Sequence, residues 1–299
     1  MLMIGILGLG RMGAPICRRL VEGGFAVTVN DPAEGARLSA DRIGAGWAES
    51  VAAVAADVDV LVTVLPGPKE LEAAMLAPDG ALWSMRPGSL WLDFTSGDPR
   101  VSKRIAAEAG QRQIRSVGSP MGGGPNDAAS GTLIFFADGS PADVETVRPI
   151  LEQLGRQGGI QWMGTEPGHG QVAKLLANLL WFGQAAAVTE SLLLGQAMGL
   201  DVRALRDALA QSAGGSRFID DSTEALFRGD YLESFALSRC VEELETLTGL
   251  AKDTGSPFEI STHVTDLYKE ALTELGDVDG ELLVAKLLET RAGRLLRSP

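Results

Sequence analysis

The sequence predicts an α/β protein, with a doubly wound parallel sheet in its first half and an all-helical second half. Three observations carry this. Short apolar runs alternate with amphipathic segments up to about residue 163. A glycine-rich turn follows the first apolar run. From about Gly168 onward the β-type runs stop, and Gly, Ala, Leu and Glu recur at helical spacing.

In order, residues 3–7, 26–30, 58–64, 89–93 and 114–119 read as strands. Residues 12–22, 34–40, 50–55, 69–75 and 100–110 read as the helices between and after them. Residues 132–137 and 161–163 read as two further strands, with a helix over 142–154 between them. The Gly-Thr-Glu-Pro-Gly-His-Gly turn at 164–170 marks a domain boundary. The expected domains are therefore 1–164, which binds a nucleotide, and 165–299, which is helical. Residues 175–200 are long and apolar enough to span a bilayer, but Asn178, Gln184, Thr189, Glu190, Ser191 and Gln196 interrupt them. They read as a soluble helix buried on most sides.

The 299 residues carry 26 Lys and Arg against 39 Asp and Glu, a formal charge of −13. That excess argues against nucleic acid and anionic membrane surfaces as partners. Hydrophobic residues at 45% and charged residues at 22% are globular proportions. Cys17 and Cys240 are too few for a disulfide scaffold and read as free buried thiols in a reducing compartment. The opening Met-Leu-Met-Ile-Gly-Ile-Leu-Gly has no basic segment before it, and Arg11 follows it, the reverse of a signal peptide. The expected location is cytoplasmic. His169 and His263 share no ligand spacing with the cysteines, so no metal site is expected.

Gly8-Leu9-Gly10-Arg11-Met12-Gly13 lies between a predicted strand and a predicted helix, the context a dinucleotide-binding turn requires. Gly8 serves the tight turn, Gly10 the approach of a pyrophosphate, and Gly13 close helix packing. Asn30 and Asp31 end the second strand, where an acidic group accepts from the ribose hydroxyls and repels a 2′-phosphate. Pro32 follows, where an NADP site often carries Arg, so NAD is favoured over NADP. Leu65-Pro66 and Thr95-Ser96 close later strands and complete the expected cofactor contacts. Helix capping is the competing reading of Thr95 and Ser96.

Lys174 and Asn178 are four residues apart on one helix face, with Trp181 close to that face. A lysine at the opening of an apolar helix is costly to bury charged, which lowers its pKa and suits proton transfer. A lysine snorkelling at a helix end is the alternative, and for Trp181 a core or subunit-interface aromatic. Gly122-Gly123-Gly124 could form a backbone nest for a carboxylate, or be a plain loop.

These motifs resemble the β-hydroxyacid dehydrogenase family, which includes 3-hydroxyisobutyrate dehydrogenases and tartronate semialdehyde reductases. Gly8 to Pro15 resembles its G-x-G-x-M-G-x-P, and Asp93-Phe94-Thr95-Ser96 its D-x-S-T turn. Gly118-Ser119-Pro120-Met121-Gly122-Gly123-Gly124, then Ser130-Gly131-Thr132-Leu133, resembles D-A-P-V-S-G-G…G-T-L. Gly168-x-Gly170-x-x-x-Lys174-x-x-x-Asn178 resembles the catalytic segment, and Gly276-Asp277-Val278-Asp279 a late motif. The resemblance implies a Rossmann-like domain, a helical substrate and dimerisation domain, and a homodimer or homotetramer built through the long helix. It implies hydride transfer between nicotinamide and a hydroxyl or carbonyl carbon, with Lys174 as general acid/base and Asn178 orienting the substrate.

Three departures fall where the family holds substrate. Gly122 replaces a serine, Ala177-Asn178 replaces a pair of asparagines, and Glu242-Glu243 replaces Lys-Asp. Glu242 reverses a charge, unless Arg239 compensates or Glu242 faces solvent. Together they suggest a larger, neutral or amine-bearing substrate instead of a short 3-hydroxy acid. An imine reductase acting on C=N is the alternative chemistry. A non-catalytic dinucleotide sensor or interaction protein is the alternative of another class. The longer decarboxylating relatives that act on sugar phosphates would need an Arg/Lys cluster that is not evident here.

Overall fold

The computed structural model describes residues 2–232 and 235–297. They form two compact units, Met1–Lys174 and Leu175–Pro299. The first contains β1 (Met3–Leu7), α1 (Gly13–Glu22), β2 (Ala26–Asn30), α2 (Ala36–Ile43), β3 (Gly46–Trp47), α3 (Val51–Ala55), β4 (Val60–Thr63) and α4 (Pro68–Leu76). It continues with β5 (Leu90–Asp93), α5 (Pro99–Gln111), β6 (Arg115–Gly118), β7 (Met121–Gly122), α6 (Pro125–Ser130), β8 (Leu133–Ala137), α7 (Pro141–Leu154) and β9 (Gly155–Trp162). The helix α8 (His169–Ala197) runs through the division. It is followed by α9 (Val202–Ala210), α10 (Arg217–Arg228), α11 (Leu237–Thr254), α12 (Glu259–Leu275) and α13 (Leu283–Ala292).

Six parallel strands form the main sheet in the order β3-β2-β1-β4-β5-β6. This is the Rossmann order, and it reverses direction between β1 and β4. The residues alternate between its faces. Ile4, Ile6, Val60, Val62, Leu90 and Leu92 enter one apolar cluster, while Leu7, Leu61 and Trp91 enter the other. Both faces are thus buried, as a parallel sheet requires. Each fully buried aliphatic side chain contributes about 1.5–3 kcal/mol relative to exposure.

The further strands expected over 132–137 and 161–163 are present, and with Met121–Gly122 they form a separate three-stranded sheet, β7-β8-β9, in which β7 runs antiparallel to β8. Its strand β9 already begins at Gly155, because its pairing with β8 is made by backbone and does not need an apolar run. The long apolar helix is also less buried than expected: only 39% of its most apolar window is inside the protein. Leu176, Leu180 and Leu194 are exposed on it, at 41%, 65% and 65%. After β9 the described residues hold helices and one isolated bridge, Ala236 with Asp279.

The second unit packs around Phe182, Phe218, Tyr268 and the leucines of α11 and α13. Glu289 is 1% exposed within it. Its carboxylate accepts from the Tyr231 hydroxyl at 2.6 Å, the Leu296 N–H at 2.7 Å and Arg297 Nη1 at 3.0 Å. Both cysteines are free and buried, and burial pushes the Cys17 thiol up to about 12.

Register places Asn30, Leu7, Thr63, Asp93 and Gly118 in one row of cross-strand partners. The turns that follow these strands therefore share one edge of the sheet. Asp93 is fully buried in that row. It accepts from the Thr63 hydroxyl at 2.8 Å and the Thr95 N–H at 3.0 Å, while Trp91 Nε1 braces Thr63 at 3.0 Å. Burial nevertheless dominates and pushes the Asp93 carboxyl up to about 7. The folded state thus holds this proton more tightly than the unfolded chain does. The stability it gives is full below the unfolded carboxylate range and is lost as pH rises to about 7. Asp93→Asn keeps the accepting oxygen and should flatten that fall, becoming more stable relative to wild type at pH 8 than at pH 4. Urea midpoints across that range check it; parallel curves would refute the assignment.

Candidate functional site

The glycine turn leaves β1 at the point where strand order reverses. Gly8 has φ +100°, and a Cβ there would lie 2.2 Å from the Val64 carbonyl oxygen. A Cβ on Gly13 would lie 2.1 Å from the Gly8 carbonyl oxygen, so this glycine lets α1 start against the turn itself. Gly10 differs: a Cβ there meets nothing within 4 Å. Gly8, Leu9 and Gly13 are buried, Met12 is half-buried, and Gly10 and Arg11 are exposed. No side chain caps α1. An exposed loop of short backbone at an uncapped helix start fits a pyrophosphate.

Asp31 braces this turn. One carboxylate oxygen accepts from the Leu9 N–H at 2.6 Å and the other from the Ala33 N–H at 2.7 Å. Each oxygen retains a lone pair for a hydroxyl donor. Asn30 donates from Nδ2 to the Ala48 carbonyl at 2.9 Å, tying β2 to the residue after β3. The residues expected on a dinucleotide thus sit together on one edge of the first unit.

Leu65 and Thr95 lie on the same edge, joined by a 3.1 Å bond from the Leu65 N–H to Thr95 Oγ1. Thr95 is 2% exposed, so its hydroxyl is a strut between turns; Ser96 is half-buried and Pro66 is exposed. The capping reading of Thr95 and Ser96 is overturned: Asp98 caps α5, accepting from the Arg100 N–H at 2.8 Å.

The start of α8 is anchored to the same strand ends. Gln171, 1% exposed, donates from Nε2 to the Thr95 carbonyl at 2.6 Å and accepts from the Gly97 N–H at 3.1 Å. Asp138, 2% exposed, accepts from the N–H groups of Gly118, Gly168 and Gly170 at 3.1, 3.0 and 2.8 Å. Burial pushes its carboxyl up, opposed by those three N–H groups. Neither residue was among the expected site residues. The turn-forming Asp138-Gly139 after a strand was the available signal for one, and Gln171 within the Gly-His-Gly-Gln opening for the other.

In the glycine loop, Gly122 lies in β7 and pairs with Ile134. The Gly124 N–H donates to Asp127 at 2.8 Å, so a carboxylate of the chain itself already meets the expected nest. Lys174 and Asn178 occupy successive turns of α8, both half-buried.

In the second unit, Asn178 donates from Nδ2 to Glu243 at 2.6 Å, and Glu243 is 6% exposed. Glu242 instead pairs with Arg239 Nη1 at 2.6 Å. The two acids therefore do different work: one holds Asn178, and the other is compensated by a cation one turn earlier on α11. Trp181 stacks edge-on against Phe182 and Phe218 at 5.6 and 5.5 Å, which makes it part of the core aromatic cluster. Among the described residues no group of three His, Cys, Asp or Glu could hold a metal.

Comparison with known proteins agrees with this layout. Residues 3–164 match the NAD-binding domain of 6-phosphogluconate dehydrogenase. Residues 168–288 match the NAD-binding domain of NADP-dependent 3-hydroxyisobutyrate dehydrogenase. The chain is 33% identical to a Pseudomonas aeruginosa NAD-dependent L-serine dehydrogenase, over 71% of this chain and 70% of that protein. A Mycobacterium tuberculosis 3-hydroxyisobutyrate dehydrogenase solved with L-serine superposes with a TM-score of 0.86 at 26% identity, covering 96% of this chain and 99% of the other. A Streptomyces aurantiacus imine reductase shares the fold, with a TM-score of 0.64 at 19% identity over 96% and 99% of the two chains. With the Rossmann strand order, the glycine turn and a family match over more than half its length, the chain belongs to the β-hydroxyacid dehydrogenase family of NAD(P)-dependent oxidoreductases.

Proposed function

We propose that this chain oxidises or reduces a small hydroxyl-bearing substrate with Lys174 as its general acid/base. The carrying observation is Lys174 one turn after Gly170, in a helix whose first turn is bonded to the cofactor edge through Gln171 and Asp138. A bound nicotinamide cofactor supplies or accepts the hydride at the substrate carbon. Lys174 Nζ gives the proton to the substrate oxygen in reduction and takes it in oxidation. Asn178, its carboxamide oriented by Glu243, fixes the substrate one turn further along the helix. Gly10 and the start of α1 bind the pyrophosphate, and Asp31 accepts from the ribose hydroxyls, which favours NAD over NADP.

The substrate reading follows from two departures. Gly122 removes a hydroxyl, and the mutually neutralised Arg239–Glu242 pair stands where the family resemblance places Lys. A neutral or amine-bearing alcohol fits the loss of that cation, and L-serine is the natural first probe, given the relative's name. An imine reductase remains the second reading, with Lys174 favouring hydroxyl chemistry. The exposed Leu176, Leu180 and Leu194 stripe on α8 supports a homodimer or homotetramer assembled on that helix.

Three outcomes are expected. Lys174→Ala should lose roughly 10²–10⁴-fold in kcat while binding NADH within about twofold of wild type; near-full turnover would sink the acid/base role. A panel of L-serine, 3-hydroxyisobutyrate, tartronate semialdehyde and neutral or amino alcohols, run with NAD(H) and NADP(H) in parallel, should give highest kcat/KM on an amine-bearing alcohol with NAD. Fastest turnover of 3-hydroxyisobutyrate, or preference for NADP, would overturn those assignments separately. Sedimentation velocity should show an oligomer that Leu180→Arg dissociates; a monomeric wild type contradicts it.

A further inference from the structure

The buried carboxylate that anchors the start of the Lys174 helix has so far no catalytic consequence assigned to it. Asp138 follows β8, and its backbone N–H donates to the Gly118 carbonyl at 2.7 Å in an isolated antiparallel bridge. Its side chain turns inward, and one oxygen takes both the Gly168 and Gly170 N–H groups, at 3.0 and 2.8 Å. These are N–H groups at the opening of α8, which lack partners inside the helix. A carboxylate there both accepts their bonds and complements the helix dipole. The cap comes from a residue 30 positions earlier in the chain.

Space for it exists because of two glycines. A Cβ on Gly118 would lie 2.7 Å from Asp138 Oδ1. A Cβ on Gly170 would lie 2.1 Å from the Phe136 carbonyl oxygen and 3.2 Å from Asp138 Oδ2. The carboxylate of Asp138 therefore lies beside the point from which a residue-118 side chain would grow.

We propose that Asp138 is a positioning residue for Lys174, capping α8 from β8 in the space that Gly118 leaves open, and that an acid grown from either position 118 or position 138 can fill that space. Gly170 and Lys174 are one turn apart on one face, so the depth and rotation at which Gly170 is held pass directly to Lys174. Gln171 holds the adjacent residue to Thr95 and Gly97, so the helix start is fixed on two sides. The catalytic consequence rests on the proposed role of Lys174; the cap itself does not.

The test is a cycle of Asp138→Gly, Gly118→Asp and the double exchange, in the full chain. Asp138→Gly should raise amide exchange over residues 168–174 at least tenfold and lower kcat on the best panel substrate at least tenfold. NADH Kd should stay within about threefold. Gly118→Asp alone should lower the melting temperature, since two carboxylates would crowd one space. The double exchange should recover both protection and kcat to within about threefold of wild type, which a merely lost packing contact would not do. Unchanged exchange in a folded Asp138→Gly, or a double exchange no better than Asp138→Gly, overturns the proposal. If Asp138→Gly does not fold, the double exchange and Asp138→Asn decide: recovery in the first, with partial protection in the second, supports it, and failure of the double exchange to fold refutes it. Lost protection without lost kcat would refute the positioning role. If Lys174→Ala itself keeps turnover, the exchange data still decide the cap.

Discussion

The first unit depends on how it keeps two carboxyl groups inside. Asp93 and Asp138 are both buried near the carboxyl ends of strands, where an unsatisfied carboxylate costs several kcal/mol. They persist because the chain bends backbone N–H groups and hydroxyls toward them. Thr63 and Thr95 come to Asp93; Gly118, Gly168 and Gly170 come to Asp138. Satisfying these two groups draws loops from distant parts of the sequence to the sheet's edge. The same edge is where an open α/β sheet offers a ligand crevice. The architecture of the site is thus largely a solution to a solvation problem.

The glycine turn answers a different constraint, that of approach. Gly8 and Gly13 are required by neighbours already present in the chain, since any side chain would meet a carbonyl. Gly10 faces open space, so nothing within the protein demands it. Two glycines therefore serve the fold, and the third leaves its backbone open. Asp31 spans both demands, bracing the turn through Leu9 while keeping acceptor capacity for a ribose.

Much of this was legible in the residues. The bounds of β1 and β2 follow from apolar runs ended by glycine or by Asp31, and the helices between strands follow from amphipathic spacing. The two-residue strands β3 and β7 were not legible, because two residues make no pattern. Strand β9 opens with Gly-Arg-Gln-Gly-Gly, which carries no apolar signal, and its membership of a second sheet depends on pairing with β8. The glycine turn and Lys174 are local motifs. Asp138 and Gln171 are not, since their partners lie 32 and 76 positions away and only folding joins them. The two adjacent glutamates look alike in sequence, yet one is buried on Asn178 and the other pairs with Arg239, because successive helix residues point in different directions.

Glu289 has a consequence for the order of events as the chain is made. Its carboxylate is buried, and two of its three donors, Leu296 and Arg297, follow it in sequence. A ribosome supplies the acid before it supplies them. While the chain ends between those points, the helical unit can close only around an incompletely solvated charge. The parallel sheet of the first unit has no such debt, since all six of its strands are made by Gly118. The nucleotide half can therefore mature while the helical half still waits for its closing residues.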